Sequence, residues 1–344
     1  MENIVKSFLN YLQNIDAVLI VPHWDADGIA SASILLNILD NYKLNTYISI
    51  PKLGFYEYKA INKNDVSAYS PDTIILVDYA LSIGEIRNLE REYDINVCVI
   101  DHHVNSLPRE VRYVNPYVHG LSLSDYPSNT WLLHKHFDVP LNLQVLLGYF
   151  CDLGPKYKIF REWFNINKFI RKKHWCINDL IEAKNIINSC YQLNNPDAIK
   201  EVIHWLRNVE KLSDVILNHD LRSNYSLVSK EIERIINSIS PVEEGSNYRV
   251  YKIRSKYLIT SDIGKFLAAK NMGYITIVIS EVINGPKSIY VRSYDYNLSK
   301  SILKLKGLGY NVGGKENVFS IQLSSFSQKV LDDVINSLEE AVEK

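Results

Sequence analysis

Three short runs in the first hundred residues, "AVLIV" (17–21), "DTIILV" (72–77) and "NVCVI" (96–100), are apolar at almost every position. A strand without polar alternation has to be buried on both faces, which only a sheet sandwiched between helices provides, and such sheets are parallel. The intervening sequence agrees. Ile4, Val5, Phe8, Leu9, Leu12 and Ile15 recur at helical spacing, "ASASILLNIL" (30–39) is helical, and "NTYISI" (45–50) adds another strand. The fold class expected for the first half is therefore α/β, a doubly wound parallel sheet.

From about Gln144 the pattern turns helical, clearest in the stripe Val228, Ile232, Ile235, Ile236 and Ile239. The stretch 241–247, "PVEEGSN", reads as a linker. Beyond it "RVYKI", "YITIVISEV" and "SIYVRS" alternate with helical "SDIGKFLAAKN" and "KVLDDVINSLEEAV", giving a smaller α+β domain. Asn284-Gly285 reads as a hairpin turn lengthened by Pro286. The expected organisation is a domain over 1–240 that includes a helical segment from 142, a linker over 241–247, and a second domain over 248–344.

Composition narrows the class further. With 344 residues, about two domains are expected, and 47% hydrophobic with 22% charged residues is ordinary for a globular chain. A net charge of −1 excludes a global basic field, so any nucleic-acid contact must be local. The cysteines Cys98, Cys151, Cys176 and Cys190 form no C-x-x-C pair, which argues against a zinc ribbon and for a reducing compartment. No run reaches the ~18 apolar residues of a membrane helix, and the N-terminus lacks a signal-peptide pattern. A cytoplasmic protein without a membrane partner is expected.

In parallel α/β sheets, ligands collect at the carboxyl ends of the strands. Here the first run leads into "HWDADG" with His23, Asp25 and Asp27, the second into Asp78, and the third into Asp101, His102 and His103. Asp152, in "CDLG", follows an apolar helical stretch. One aspartate at a strand end is usually a helix cap, and a His pair is often decoration. Three strand ends loaded together point instead to a metal. Carboxylates with imidazole and no thiolate favour two divalent cations, Mn²⁺ ahead of Mg²⁺, sharing a bridging carboxylate. Asp25 and Asp27 tolerate their proximity if each faces a different cation.

"HWDADG", "VDYA", "DHH" and "CDLG" resemble the motifs of the DHH phosphoesterase superfamily, and the tail resembles its DHHA1 subfamily, which includes RecJ-like exonucleases and oligonucleotide phosphodiesterases. The resemblance implies an active site in the cleft between a DHH and a DHHA1 domain. It places His23, Asp25 and Asp78 on one metal, and Asp27, Asp78, His102 and Asp152 on the other, with Asp78 as the bridge. Asp101 would orient the adjacent imidazole. His103 would hydrogen-bond the phosphate or protonate the leaving oxygen; both remain open. Two cations about 3.5 to 4 Å apart would activate water for attack on phosphorus.

In the tail, Arg292 of "SIYVRS" and Gly313, Gly314 and Lys315 of "GYNVGGKENVFSIQL" resemble the DHHA1 phosphate-binding region, with Lys315 where the family has histidine. The segment "IINSCYQLNNPDAIKEVIHWL" resembles archaeal-type RecJ-like nucleases, some of which associate with the replicative helicase, although Gln192 stands where arginine is common. Upstream, Lys156, Lys158, Arg161, Lys168, Arg171, Lys172 and Lys173 interleave with Tyr157, Phe160, Trp163, Phe164, Phe169 and Trp175. Cations that track phosphates and rings that stack on bases suit single strands, while an amphipathic helix with its rings in the core would give the same pattern.

The expected function is a metal-dependent exonuclease on single-stranded DNA or RNA, with replication or repair proteins as the implied partner class. The alternatives are a phosphodiesterase for short oligonucleotides or cyclic dinucleotides, which needs no basic track, and a replication-associated scaffold, which has no reason to keep metal ligands. A pyrophosphatase is disfavoured, because "RKK" at 171–173 lacks that branch's flanking residues.

Overall fold

A computed structural model describes residues 1–342 apart from 106 and 284. The side chains of 123, 155 and 339–342 also lie outside the described set. The chain divides into two compact units, Met1–Tyr225 and Ser226–Lys344.

The first unit is built from α1 (Glu2–Leu12), β1 (Ala17–Pro22), α2 (Ala26–Asp40), β2 (Asn45–Ile48), α3 (Lys63–Tyr69), β3 (Thr73–Val77), α4 (Ile83–Tyr93), β4 (Asn96–Ile100) and β5 (Tyr113–Val114). A helical layer follows: α5 (Asn129–His136), α6 (Leu143–Leu153), α7 (Trp163–Lys172), α8 (Ile177–Gln192), α9 (Pro196–Leu206) and α10 (Leu212–Ile216). The helix α11 (His219–Ser238) carries the boundary between the units. The strands pair in parallel in the order β2-β1-β3-β4-β5. Every residue of β3 is buried, as two-sided coverage requires.

This order reverses direction at β1. The chain moves from β1 outward to β2, then returns to lay β3 on the other side, so the carboxyl ends of β1 and β3 flank a switch point where loops diverge and leave a crevice. The register is flush there: Pro22 pairs with Val77, Val77 with Ile100, and Ile100 with Val114. The next residue of each strand, His23, Asp78, Asp101 and Asn115, therefore forms one row across the sheet edge. The ladder continues through it, with the amides of His23, Asp78 and Asp101 donating to Val77, Ile100 and Val114.

α2 is buried over most of its length because Ala26, Gly28, Ala30, Ser31, Ala32 and Ser33 are small enough for neighbours to approach on all sides. It begins at Ala26 rather than at Ala30, since Asp25 caps it by accepting from the Gly28 amide at 3.1 Å. On Gly28 a Cβ would overlap the His23 carbonyl, so the turn that carries the acidic motif closes only over glycine.

The second unit contains β6 (Glu243–Glu244), β7 (Tyr248–Ser255), α12 (Thr260–Lys270), β8 (Ile275–Val282), β9 (Lys287–Arg292), α13 (Ser299–Gly307), β10 (Val312–Lys315), β11 (Val318–Leu323) and α14 (Gln328–Val342). The sheet order is β10-β11-β9-β8-β7-β6, antiparallel except for β7 with β8. Its core gathers Ile277, Val291, Phe319, Leu331 and Val334, each burial worth about 1.5 to 3 kcal/mol. The stretch 241–247 includes the edge strand β6, which turns back onto β7. Asn284 of the expected hairpin turn lies outside the described residues.

Candidate metal centre

The row at the sheet edge, the first turn of α2 and the last turn of α6 bring His23, Asp25, Asp27, Asp78, Asp101, His102, His103 and Asp152 together. Their donor atoms fall into groups whose members lie within 4.8 Å of one another: His23, Asp25 and Asp78; Asp27, His102 and Asp152; Asp78, His102 and His103; and Asp25, Cys151 and Asp152.

Asp78 belongs to two of these groups, and its oxygens face different ways. Oδ2 stands 3.9 Å from His23 Nδ1, whereas Oδ1 stands 3.5 Å from His102 Nε2 and 3.7 Å from His103 Nδ1. The side chain is 2% exposed, and Oδ1 has no hydrogen-bond partner among the described residues. Burial, followed by the charges of Asp27, Asp25, Asp152 and Asp101, pushes the Asp78 carboxyl well above its ordinary range. Its backbone is left-handed, with φ of 57°, a conformation aspartate tolerates better than most residues.

Asp27 is fully buried and sits on the N-terminus of α5, accepting from the amides of Asn129 at 2.7 Å and Thr130 at 3.0 Å. Those amides and His102 favour its ionised form. Burial and the Asp152 charge outweigh them and raise its pKa to about 7. Gly148 of α6 makes the space, since a Cβ there would overlap Asp27 Oδ1 and Thr130 Oγ1. Asp25 is opposed by burial, yet the charge and hydrogen bond of His23, 2.9 Å away, hold it below its ordinary value.

His102 turns its Nδ1 to the Tyr126 carbonyl at 3.0 Å, which leaves Nε2 facing Asp152 at 3.0 Å and Asp27 at 3.9 Å. Asp101 departs from expectation. Its carboxylate lies 2.8 Å from His103 Nδ1, not on His102, whose Nδ1 is already engaged. Burial opposes the Asp101 charge, but His103 holds its pKa below the ordinary value. Asn115 completes this link, donating to Asp101 at 3.3 Å and to the His103 carbonyl at 3.0 Å.

These donor sets fit divalent cations. Ligands roughly 2.1 Å from a common ion stand about 3 Å apart when adjacent and about 4.2 Å apart when opposite. The separations of 2.9 to 3.9 Å around His23 and His102 fall in that range. The structure also adds a thiol that the sequence does not signal, because Cys151 Sγ lies in the group with Asp25 and Asp152. Burial and those two carboxylates raise its pKa well above the ordinary value, so it stands as a neutral thiol.

Sequence reasoning missed Tyr56, Asn115, Tyr126 and Asn188. Asn188 of α8 accepts from the Ala26 amide at 2.8 Å, between Asp25 and Asp27. Asn115 follows a strand of two residues, too short to carry a pattern. Tyr126 acts through its carbonyl, which has no side-chain signature.

The segment after Asp152 is only partly as expected. Lys156, Lys158, Lys168, Arg171, Lys172 and Lys173 are exposed, while Arg161 pairs with Asp125 at 2.9 Å. Of the rings, Phe160 is 7% exposed, Tyr157 packs on Trp163 and Phe169 on Trp175, leaving Phe164 in solvent at 77%. Ile166 and Ile170 anchor α7, so its rings divide between packing and surface. Gln192 is buried at the end of α8.

In the second unit, Val318 pairs with Arg292 on one side and Lys315 on the other, which aligns both cations in one cross-strand row. Arg292 Nε donates to the Tyr290 hydroxyl at 2.7 Å. Gly314 is needed for packing, since a Cβ would overlap the Val318 carbonyl and Phe319, whereas Gly313 faces open space.

Residues 17–136 match the DHH family, N-terminal domain. No curated protein matches the chain. Among solved structures it is similar to RecJ in complex with Mn²⁺ from Thermus thermophilus, with TM-score 0.66 and 13% identity over 98% of this chain and 54% of that one. The chain thus spans about half the length of that relative. It is also similar to the DHH domain of a member of the s1p family of ribosomal proteins, with TM-score 0.67 and 14% identity over 100% of this chain and 92% of the other. A third likeness, to exonuclease RecJ bound to manganese, has TM-score 0.59 and 14% identity over 100% and 94% of the two chains. The domain that begins at β1 and carries the "DHH" row, residues 17–136, is thus a DHH-family N-terminal domain, and the fold of the chain is similar to that of RecJ.

Proposed function

We propose that this protein is a metal-dependent phosphodiesterase, an exonuclease acting on single-stranded DNA or RNA. The observation that carries the reading is Asp78, a buried carboxylate whose Oδ1 has no hydrogen-bond partner among the described residues and faces other carboxylates and imidazoles, a state that calls for cations. His23, Asp25 and Asp78 would hold one divalent ion and Asp27, Asp78, His102 and Asp152 a second, Mn²⁺ favoured over Mg²⁺. Such a pair supplies Lewis-acid polarisation of the phosphoryl oxygens and a water of lowered pKa.

The remaining chemistry belongs to the chain. Asp101, held ionised by His103, can only accept, so Nδ1 of His103 carries the proton between them. The other ring nitrogen, on a side chain 31% exposed, is then free to donate to a phosphate oxygen or to the leaving oxygen when the ring is protonated. Asp101 and Asn115 hold the ring in place for either role. Arg292, Gly313, Gly314 and Lys315 are proposed to hold substrate phosphate.

The exposed cations of 156–173 favour a strand over a dinucleotide, and the RecJ likenesses agree with it. Partners from replication or repair and a cytoplasmic location belong to the same reading; none of the described helices is long and apolar enough to cross a membrane. The short-substrate alternative draws on the packed rings of that segment, which leave few surfaces for base stacking. The test is turnover of end-labelled 3-mers and 40-mers of DNA and RNA, and of a cyclic dinucleotide, with Mn²⁺. Preference for the 40-mers supports the exonuclease. Cleavage confined to 3-mers or the cyclic dinucleotide moves the assignment to the alternative, and no cleavage of any substrate leaves the scaffold.

A further inference from the structure

Tyr56 lies in the loop between β2 and α3, outside every motif read from the sequence, yet its hydroxyl is 2.8 Å from His23 Nε2. Its ring packs on Trp24 and Tyr79, with centroids 5.2 and 5.7 Å away. Those two are the residues next to His23 and Asp78, and both are buried, at 6% and 0% exposure. The Tyr79 hydroxyl donates to the Phe55 carbonyl at 2.6 Å, pinning the backbone immediately before Tyr56. The loop is thus tied to the same strand ends that deliver the candidate metal donors.

The consequence falls on His23. A neutral imidazole carries one proton, and whichever nitrogen holds it cannot bind a cation. The Tyr56 hydroxyl can accept from Nε2–H, and in that tautomer the nitrogen left to bind a cation is Nδ1, which faces Asp25 Oδ1 at 2.9 Å and Asp78 Oδ2 at 3.9 Å. We infer that Tyr56 is a positioning residue that fixes the tautomer and ring orientation of His23, and through it sets divalent-cation affinity at the His23–Asp25–Asp78 group. This rests on the two-cation reading above. Partners of this kind change affinity by about 10 to 100-fold when removed. Asp27 and His102 are oriented by other groups, α5 and Tyr126, so cation affinity at the Asp27–His102–Asp152 group should be unchanged.

Tyr56→Phe removes only the hydroxyl and keeps the ring on Trp24 and Tyr79. The full-length protein, ¹⁵N-labelled at histidine, is compared with this variant by Mn²⁺ titration and by long-range ¹H–¹⁵N spectra with Mg²⁺, His23 being assigned from His23→Gln. The expected result is one Mn²⁺ affinity lowered about 10 to 100-fold and the other unchanged. His23 should pass from the single Nε2–H tautomer to a mixture. Equal affinities and the same tautomer in both proteins would overturn the inference. If the parent protein binds no Mn²⁺, the two-cation reading and the affinity claim both fall, while the tautomer comparison still decides whether Tyr56 sets His23.

Discussion

Asp78 Oδ1 and His102 Nε2 stand 3.5 Å apart, too far for a hydrogen bond and close enough to share an ion. The other Asp78 oxygen faces His23, so this one carboxylate joins the two donor groups. Its place follows from the flush register of β1, β3 and β4, which puts His23, Asp78 and Asp101 in one row.

Asp78→Asn should therefore abolish turnover, by roughly 10² to 10³-fold or more, and lower Mn²⁺ binding at both sites. Asparagine also accepts the left-handed backbone at φ 57°, whereas alanine there adds a strain of about 1 to 2 kcal/mol. Thermal melts without metal should show Asp78→Asn at least as stable as the parent. Undiminished turnover by this variant would remove Asp78 from the mechanism.

Gly148→Ala tests how Asp27 is housed. The added methyl would meet Asp27 Oδ1 and Thr130 Oγ1, so a loss of about 1 to 3 kcal/mol and weaker Mn²⁺ binding are expected. Gly307→Ala, at the end of α13 with nothing within 4 Å, is the matched control and should be neutral or slightly stabilising. Chemical denaturation of both variants separates the cases, and equal stabilities would contradict the packing.

Much of this was legible in the sequence and some was not. Apolar runs ending in Asp or His located β1, β3 and β4, because burial on both faces leaves no polar alternation to confuse them. What they could not convey is who partners whom. Asp101 reaches His103 rather than His102 because a backbone carbonyl, that of Tyr126, had already taken His102 Nδ1. Cys151 entered the site because α6 places its thiol beside Asp152 and Asp25, a relation that depends on helix packing across the sequence. The aromatic residues of 156–175 looked alike in sequence, yet Phe160 is core and Phe164 is surface.

Acidity gives a third expectation. Burial and neighbouring charge raise Asp27 to about 7 and Asp78 well above its ordinary 3.8. A raised carboxyl stabilises the folded metal-free protein fully below about pH 4, and that contribution is lost as pH rises through 7. Cations bind the deprotonated form. The rise in Tm on adding Mn²⁺ should therefore grow from pH 5 to pH 8; a rise of the same size at both would show that these carboxyls are not its ligands.

Charge reversal of Arg171, Lys172 and Lys173 should weaken binding of a 40-mer far more than of a 3-mer. It should also flatten the salt dependence by about 0.7 log units per log unit of salt for each phosphate no longer neutralised. Fluorescence anisotropy across a salt series measures both. Unchanged slopes would show that strands do not run along α7.

The most direct measurement is anomalous scattering from crystals grown with Mn²⁺. Two peaks are expected on either side of the Asp78 carboxylate, one beside His23 and Asp25 and the other beside Asp27, His102 and Asp152. A single peak that leaves one of these groups empty, or no peak touching Asp78, would contradict the two-cation reading.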